Sequence, residues 1–124
     1  MRVLLAADLK NWIFDRHCHE IKKRCLPEFD CEIMYRRPRH QSYKDKSFYD
    51  GFDVIYVLDK CSIHPPFGLR HKTIYGIRAE FYYKDKPRGP KGFFEDVVRK
   101  RSSLFHVVNQ RQYNDFIHSR VDAV

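Results

Sequence analysis

Residues 2–12 read Arg-Val-Leu-Leu-Ala-Ala-Asp-Leu-Lys-Asn-Trp. A short apolar run ends at Asp8, a polar turn follows, and an amphipathic helix begins at once. This is the pattern of the opening strand, turn and helix of a doubly wound α/β domain. In such sheets ligands sit in the loops beyond the carboxyl ends of the strands. The rest of the chain repeats the alternation. Strand one covers Arg2–Ala7, and the following helix runs from about Trp12 to Leu26, capped by Asn11 or Asp8. Phe14, Cys18, Ile21 and Cys25 recur on one helical face, and Pro27 ends the helix.

Strand two is expected over Cys31–Tyr35, a helical turn over Ser47–Phe52, and strand three over Asp53–Leu58. Strand three is a continuous apolar run, as a strand buried on both faces should be. Cys61–Leu69 reads as a loop, Lys72–Ile77 as strand four, and Ala79–Gly92 as a long excursion rich in proline, glycine and lysine. A helix over Phe93–Ser102 and strand five over Leu104–Val108 follow. A helix over Gln110–Ser119, built on Tyr113, Phe116 and Ile117, precedes a sixth strand beginning at Val121–Val124. Alternating strands and helices imply parallel pairing with right-handed crossovers. The expectation is a single Rossmann-like α/β domain spanning residues 1–124, a three-layer αβα sandwich with strand order 3-2-1-4-5.

Composition narrows the partners. The 124 residues suit one domain, and 43% apolar residues with 15% aromatics suffice for a core. Lys and Arg number 24 against 16 Asp and Glu, for a net charge of +8, which attracts anionic membranes, nucleic acid or phosphorylated ligands. No apolar run approaches the length of a membrane span, and Val3–Ala7 is too short for a signal-peptide core. The expected location is cytoplasmic, with membrane association through the basic surface. Cys18, Cys25, Cys31 and Cys61 form no C-x-x-C pair and read as small buried hydrophobes. The triplet His17-Cys18-His19 is not expected to bind zinc, because adjacent helical side chains point in different directions. No metal site and no cofactor are expected: a Gly-rich dinucleotide loop, a Walker lysine loop and a nucleophile elbow are all absent.

The remaining chemistry lies at the strand ends. Asp8, Lys10, Asn11 and Trp12 follow strand one, Asp59 and Lys60 strand three, Arg78 and Glu80 strand four, and Asn109 and Arg111 strand five. A parallel sheet brings all four sets to one rim. Carboxylates and amides bind hydroxyls, an indole stacks on the apolar face of a sugar, and arginines hold phosphate. Each residue also has a plain structural alternative. Asp8 and Asn109 are candidate helix caps, Trp12 a core anchor, Asp59 a turn residue, and Arg78 with Glu80 an ion pair.

The stretches RVLLAADLKNWIFDRHCHEI, FDVIYVLD, KTIYGIRAEFYY and LFHVVNQRQYNDFI together resemble the amino-terminal domain of GT-B glycosyltransferases, nearest to the retaining, family 4-like group. The resemblance spans nearly the whole chain. It implies an acceptor-binding half of an enzyme that transfers a sugar from a nucleotide sugar. Asp8–Trp12, Arg78–Glu80, Asn109 and Arg111 would then lie along the acceptor cleft. It implies a sugar or lipid-linked acceptor, and a nucleotide sugar held only by a second, carboxy-terminal domain absent from these 124 residues. The chain alone is then expected to be inactive. Many members carry a Gly-rich loop after strand one and a histidine after strand four, where this chain has Asp8–Trp12 and Arg78–Glu80, so the resemblance designates no catalytic residue. The alternative is a small basic binding module for nucleic acid or anionic lipid, with Arg36, Arg37, Arg39, Lys44 and Lys46 as its patch and Tyr35 and Tyr43 for stacking. With no recognition motif in that patch, a solvated basic loop is the simpler reading, and nucleic acid is not the expected partner.

Overall fold

A computed structural model describes residues 1–37, 44–59 and 65–119. Five parallel strands form one sheet: β1 (Arg2–Leu9), β2 (Asp30–Arg37), β3 (Val54–Val57), β4 (Thr73–Ile77) and β5 (Leu104–Val107). α1 (Ile13–Arg24) joins β1 to β2. Between β4 and β5 a helical run begins as α2 (Gly89–Phe93), passes through a π-helical stretch (Phe94–Val98) and ends as α3 (Arg99–Arg101). α4 (Gln110–His118) follows β5. The chain is thus a Rossmann-like α/β domain with helices on both sheet faces.

The strand order is β2-β1-β3-β4-β5, which corrects the expected 3-2-1-4-5. β3 sits beside β1, not beyond β2. The side chains account for this. Leu4, Leu5, Ala6 and Ala7 of β1 and Ile55 and Val57 of β3 are buried, with Leu58 just beyond, so both strands need neighbours and cover on every side. β2 exposes Asp30, Glu32 and Arg36, charges that suit an edge strand and discourage further pairing. The point where the strand order reverses therefore lies between β1 and β3, the usual ligand position in an open α/β sheet.

Alternation along the strands sorts the core into two layers. Leu5, Ala7, Cys18, Cys31 and Leu58 pack on the α1 side, with Phe14, Ile21 and Cys25 completing the helical stripe. The larger layer holds Leu4, Ile55, Tyr75, Ile77, Phe105 and Phe116. The α4 stripe differs from expectation. Phe116 and Gln112 are buried, whereas Tyr113 is 39% and Ile117 42% exposed. Asn109 and Gln112 set this rotation: Asn109 accepts from Gln112 N at 2.9 Å, and Gln112 Oε1 accepts from Val108 N at 3.1 Å.

Several boundaries move. β1 runs two residues past the expected Ala7, so Asp8 is a strand residue. The helical turn expected over Ser47–Phe52 is a 3-10 turn over Lys46–Tyr49. The helix expected from Phe93 starts at Gly89, with Pro90 in its first turn, where a missing N–H costs nothing. That shortens the Ala79–Gly92 excursion, which also contains a 3-10 turn at Glu80–Tyr82. The expected strand at Val121–Val124, the residues Arg39 and Tyr43 of the basic patch, and Lys60 and Cys61 lie outside the described residues.

Candidate functional site at the carboxyl rim

The register fixes the rim. Ala6 pairs with Val57, Val57 with Tyr75 and Tyr75 with Phe105, so the residues that follow this row come to one edge of the sheet. Asp8, Asp59, Arg78 and Asn109 accordingly stand on one edge of the sheet. Their side chains do not share one face. Alternation places Asp8 with Leu4 and Ala6, facing the larger layer. Arg78 turns to the α1 side, where its guanidinium lies 5.9 Å from the centre of the Phe14 ring.

The turn after β1 is held by Asp15. Its Oδ2 accepts from Asn11 N at 2.7 Å, and its Oδ1 accepts from the Tyr35 hydroxyl at 2.6 Å. His19 Nε2 stands 3.1 Å from the same Oδ1. Burial alone would raise the Asp15 pKa. The hydrogen bonds from Tyr35 and Asn11 N, with the charge of His19, outweigh burial and hold it below its ordinary value. Neither Asp8 nor Asn11 caps α1. The N-cap position is Trp12, which makes no side-chain cap bond. Asn11 takes a left-handed φ of 63°, a conformation asparagine tolerates better than most residues. This turn projects Trp12 outward. Its side chain is 59% exposed, which corrects the core-anchor reading. Lys10 beside it is also exposed.

Asp59 is buried at 2% exposure. Oδ1 accepts from Arg78 N at 3.1 Å, and Oδ2 accepts from the Tyr82 hydroxyl. Tyr82 in turn stacks on Phe93, with ring centres 5.8 Å apart. Arg78 does not pair with Glu80. Its Nε donates to Leu58 O at 2.8 Å and its Nη2 to the Tyr56 hydroxyl at 3.0 Å. The Tyr56 hydroxyl also meets His106 Nε2. Burial lowers the His106 pKa and the Arg78 charge lowers it further, so the imidazole is neutral near pH 7.

Glu80 pairs with Arg111 instead, at 3.4 Å. The pair spans a groove of about 230 Å³ between the β4 and β5 ends, lined also by Tyr83, Lys84 and Asp115. The Tyr83 hydroxyl donates to Asp115 Oδ2 at 2.9 Å. A second groove, of about 330 Å³, adjoins it and is walled by Tyr82, Pro87, Phe93 and Val97. Arg88, clamped by both oxygens of Asp96 at 2.8 and 2.9 Å, borders that groove. Asn109 acts as the N-cap of α4.

The strand-end residues named from the sequence thus stand on one edge of the sheet but on both of its faces, and Asp15, Tyr56, Tyr82, Tyr83 and His106 beside them were not named. Asp15 left a faint signal: an acid four residues beyond an asparagine in a strand-to-helix turn. Tyr56 was hidden within an apolar run. Among the described residues no group of three His, Cys, Asp or Glu side chains could hold a metal ion. No described helix is long and apolar enough to cross a membrane. Comparison of the chain with protein-family models, curated proteins and solved structures finds no match.

Proposed function

We propose that this domain binds the acceptor in a glycosyl transfer reaction, with a nucleotide sugar supplied by a second domain. The observation that carries the reading is the exposed Trp12 indole on the rim, fixed by the Asn11–Asp15 latch beside the β1/β3 switch point. An indole in that position suits the apolar face of a sugar ring. The resemblance in sequence supports the same reading. Transfer requires an acceptor hydroxyl positioned against the anomeric carbon of the donor, and a domain of this kind contributes positioning alone. Charge stabilisation of the leaving diphosphate belongs to the donor side. Exposed Lys84, Lys86 and Lys91 on the same rim favour acceptors carried at an anionic membrane surface.

Trp12 is the sole tryptophan, so intrinsic fluorescence reports on this position directly. Titration with mono- and disaccharides and with soluble glycolipid headgroups should give a saturable change in emission and protection from iodide quenching. Unchanged emission and quenching across the panel contradicts the reading.

A further inference from the structure

We propose that Arg78 is the centre of a second, separate subsite, which takes a phosphoryl group on the α1-side face of β4 and β5. This goes beyond the sugar-acceptor reading and does not depend on it.

α1 packs against β1 and β2, and its core layer reaches no further than Tyr56 and Leu58 of the β3 segment. Among the described residues no helix covers the same face of β4 and β5. Leu104 is accordingly 53% and Val108 45% exposed, and Ile74 and His106 are only partly buried. Arg78 stands at the carboxyl end of this shelf. The Leu58 carbonyl fixes Nε, the Tyr56 hydroxyl fixes Nη2, and the Phe14 ring backs the plane. Nη1 makes no hydrogen bond among the described residues, and no described carboxylate lies within ion-pair distance of the guanidinium. Asp59 bonds the backbone of Arg78 and turns its other oxygen to Tyr82, away from the shelf. A half-buried guanidinium oriented by neutral groups alone keeps its charge for an external oxyanion.

The surroundings favour the same ligand. Phe14 brings His17 to the site, with ring centres 6.0 Å apart, and Tyr56 brings His106. Both imidazoles are held neutral by burial and by Arg78. An arriving dianion reverses the second of these effects, so both histidines become more basic as it binds. The floor is Gly76. A Cβ there would come within 2.3 Å of Leu58 O and 3.1 Å of His106 Nε2, so glycine lets β4 lie close beneath the imidazole. The other titratable groups that feel the Arg78 charge are Tyr56 on β3 and Cys18 on α1, and Asp15 and Asp8 act in turn on Cys18.

The test is an NMR titration of the histidine ring signals with inorganic phosphate at constant ionic strength. His17 and His106 should shift saturably, and their titration midpoints should rise, while exposed His19 and His71 stay in place. Arg78→Gln should abolish the response, and Lys100→Gln, which removes an exposed charge on α3, should preserve it. Equal shifts at all four histidines would show only diffuse attraction to a basic chain and would overturn the proposal. That comparison is made on the wild-type protein, so it holds even if Arg78→Gln fails to fold. Glucose 1-phosphate reproducing the shifts identifies a soluble ester as the ligand class. Phosphatidic-acid vesicles displacing phosphate from His106, where glucose 1-phosphate does not, identify a lipid headgroup.

Discussion

Asp15 shows how one side chain sets the site. It accepts hydrogen bonds from a backbone N–H in the rim turn and from a β2 phenol, tying three elements together. Asp15→Ala leaves both donors without their partner and should cost about 2–3 kcal/mol, read from urea denaturation. The sign of its pH dependence follows from its lowered pKa. The unfolded chain binds the proton more readily, so the stabilisation is complete above the ordinary aspartate value of 3.8 and is lost as pH falls through the folded pKa. Lowered histidine values act in the same direction at higher pH. His17 and His106 stabilise the fold fully above 6.5, and that contribution fades as pH falls further. Denaturation midpoints between pH 7 and 5 should therefore fall, and fall less in His106→Gln. Trp12→Ala should change stability by no more than about 0.5 kcal/mol, because the side chain is exposed, yet should abolish saccharide binding. At this scale the sequence was readable only in part. Asn109 could be read as a cap because capping is local. The Glu80–Arg111 pair could not, because it needs the β4 and β5 ends to meet first.

At the scale of elements, the apolar runs in β1 and β3 made the parallel sheet legible, and their burial on both faces is what the runs required. Strand order was not legible in the same way. Whether β3 adds beyond β2 or beside β1 depends on which flank β2 leaves available, and charges on a strand mark its edge only once the neighbours are known. The face of α4 was legible at Phe116 but not at its flanks, for a related reason. Tyr113 and Ile117 match the apolar period, but Gln112, bonded to Val108 N, takes the second buried position and leaves those two part-exposed. Phe116 packs against Tyr83 and Phe105, with ring centres 5.1 and 5.5 Å away. Phe116→Ala should cost about 3–5 kcal/mol, whereas Ile117→Ser should cost under about 1 kcal/mol in thermal or urea melts. A comparable loss at both positions would place the buried stripe elsewhere. Gly76→Ala should destabilise by about 1–3 kcal/mol or more, because the contacted atom is backbone oxygen and cannot swing aside.

At the scale of the molecule, the carboxyl rim divides between two faces. One carries Asp59, Tyr82 and the Glu80–Arg111 groove, and the α1 side carries Arg78 with its tyrosine and histidines. Trp12 projects from the turn at the switch point. The acceptor reading makes this edge, and no other, the place where a sugar lands. The domain has its own two-layer core, so it should fold alone. It should neither turn over nucleotide sugars nor bind them tightly, which calorimetric titration with uridine-, guanosine- and adenosine-diphosphate sugars checks. The most direct measurement is backbone and indole NMR mapping of a saccharide titration. The account predicts saturable shifts at the Trp12 indole N–H, Asp59, Glu80 and Arg111, with Met1, Asp30 and Asp53 at the opposite edge unmoved. Shifts confined to that opposite edge, or none at millimolar saccharide, would contradict it.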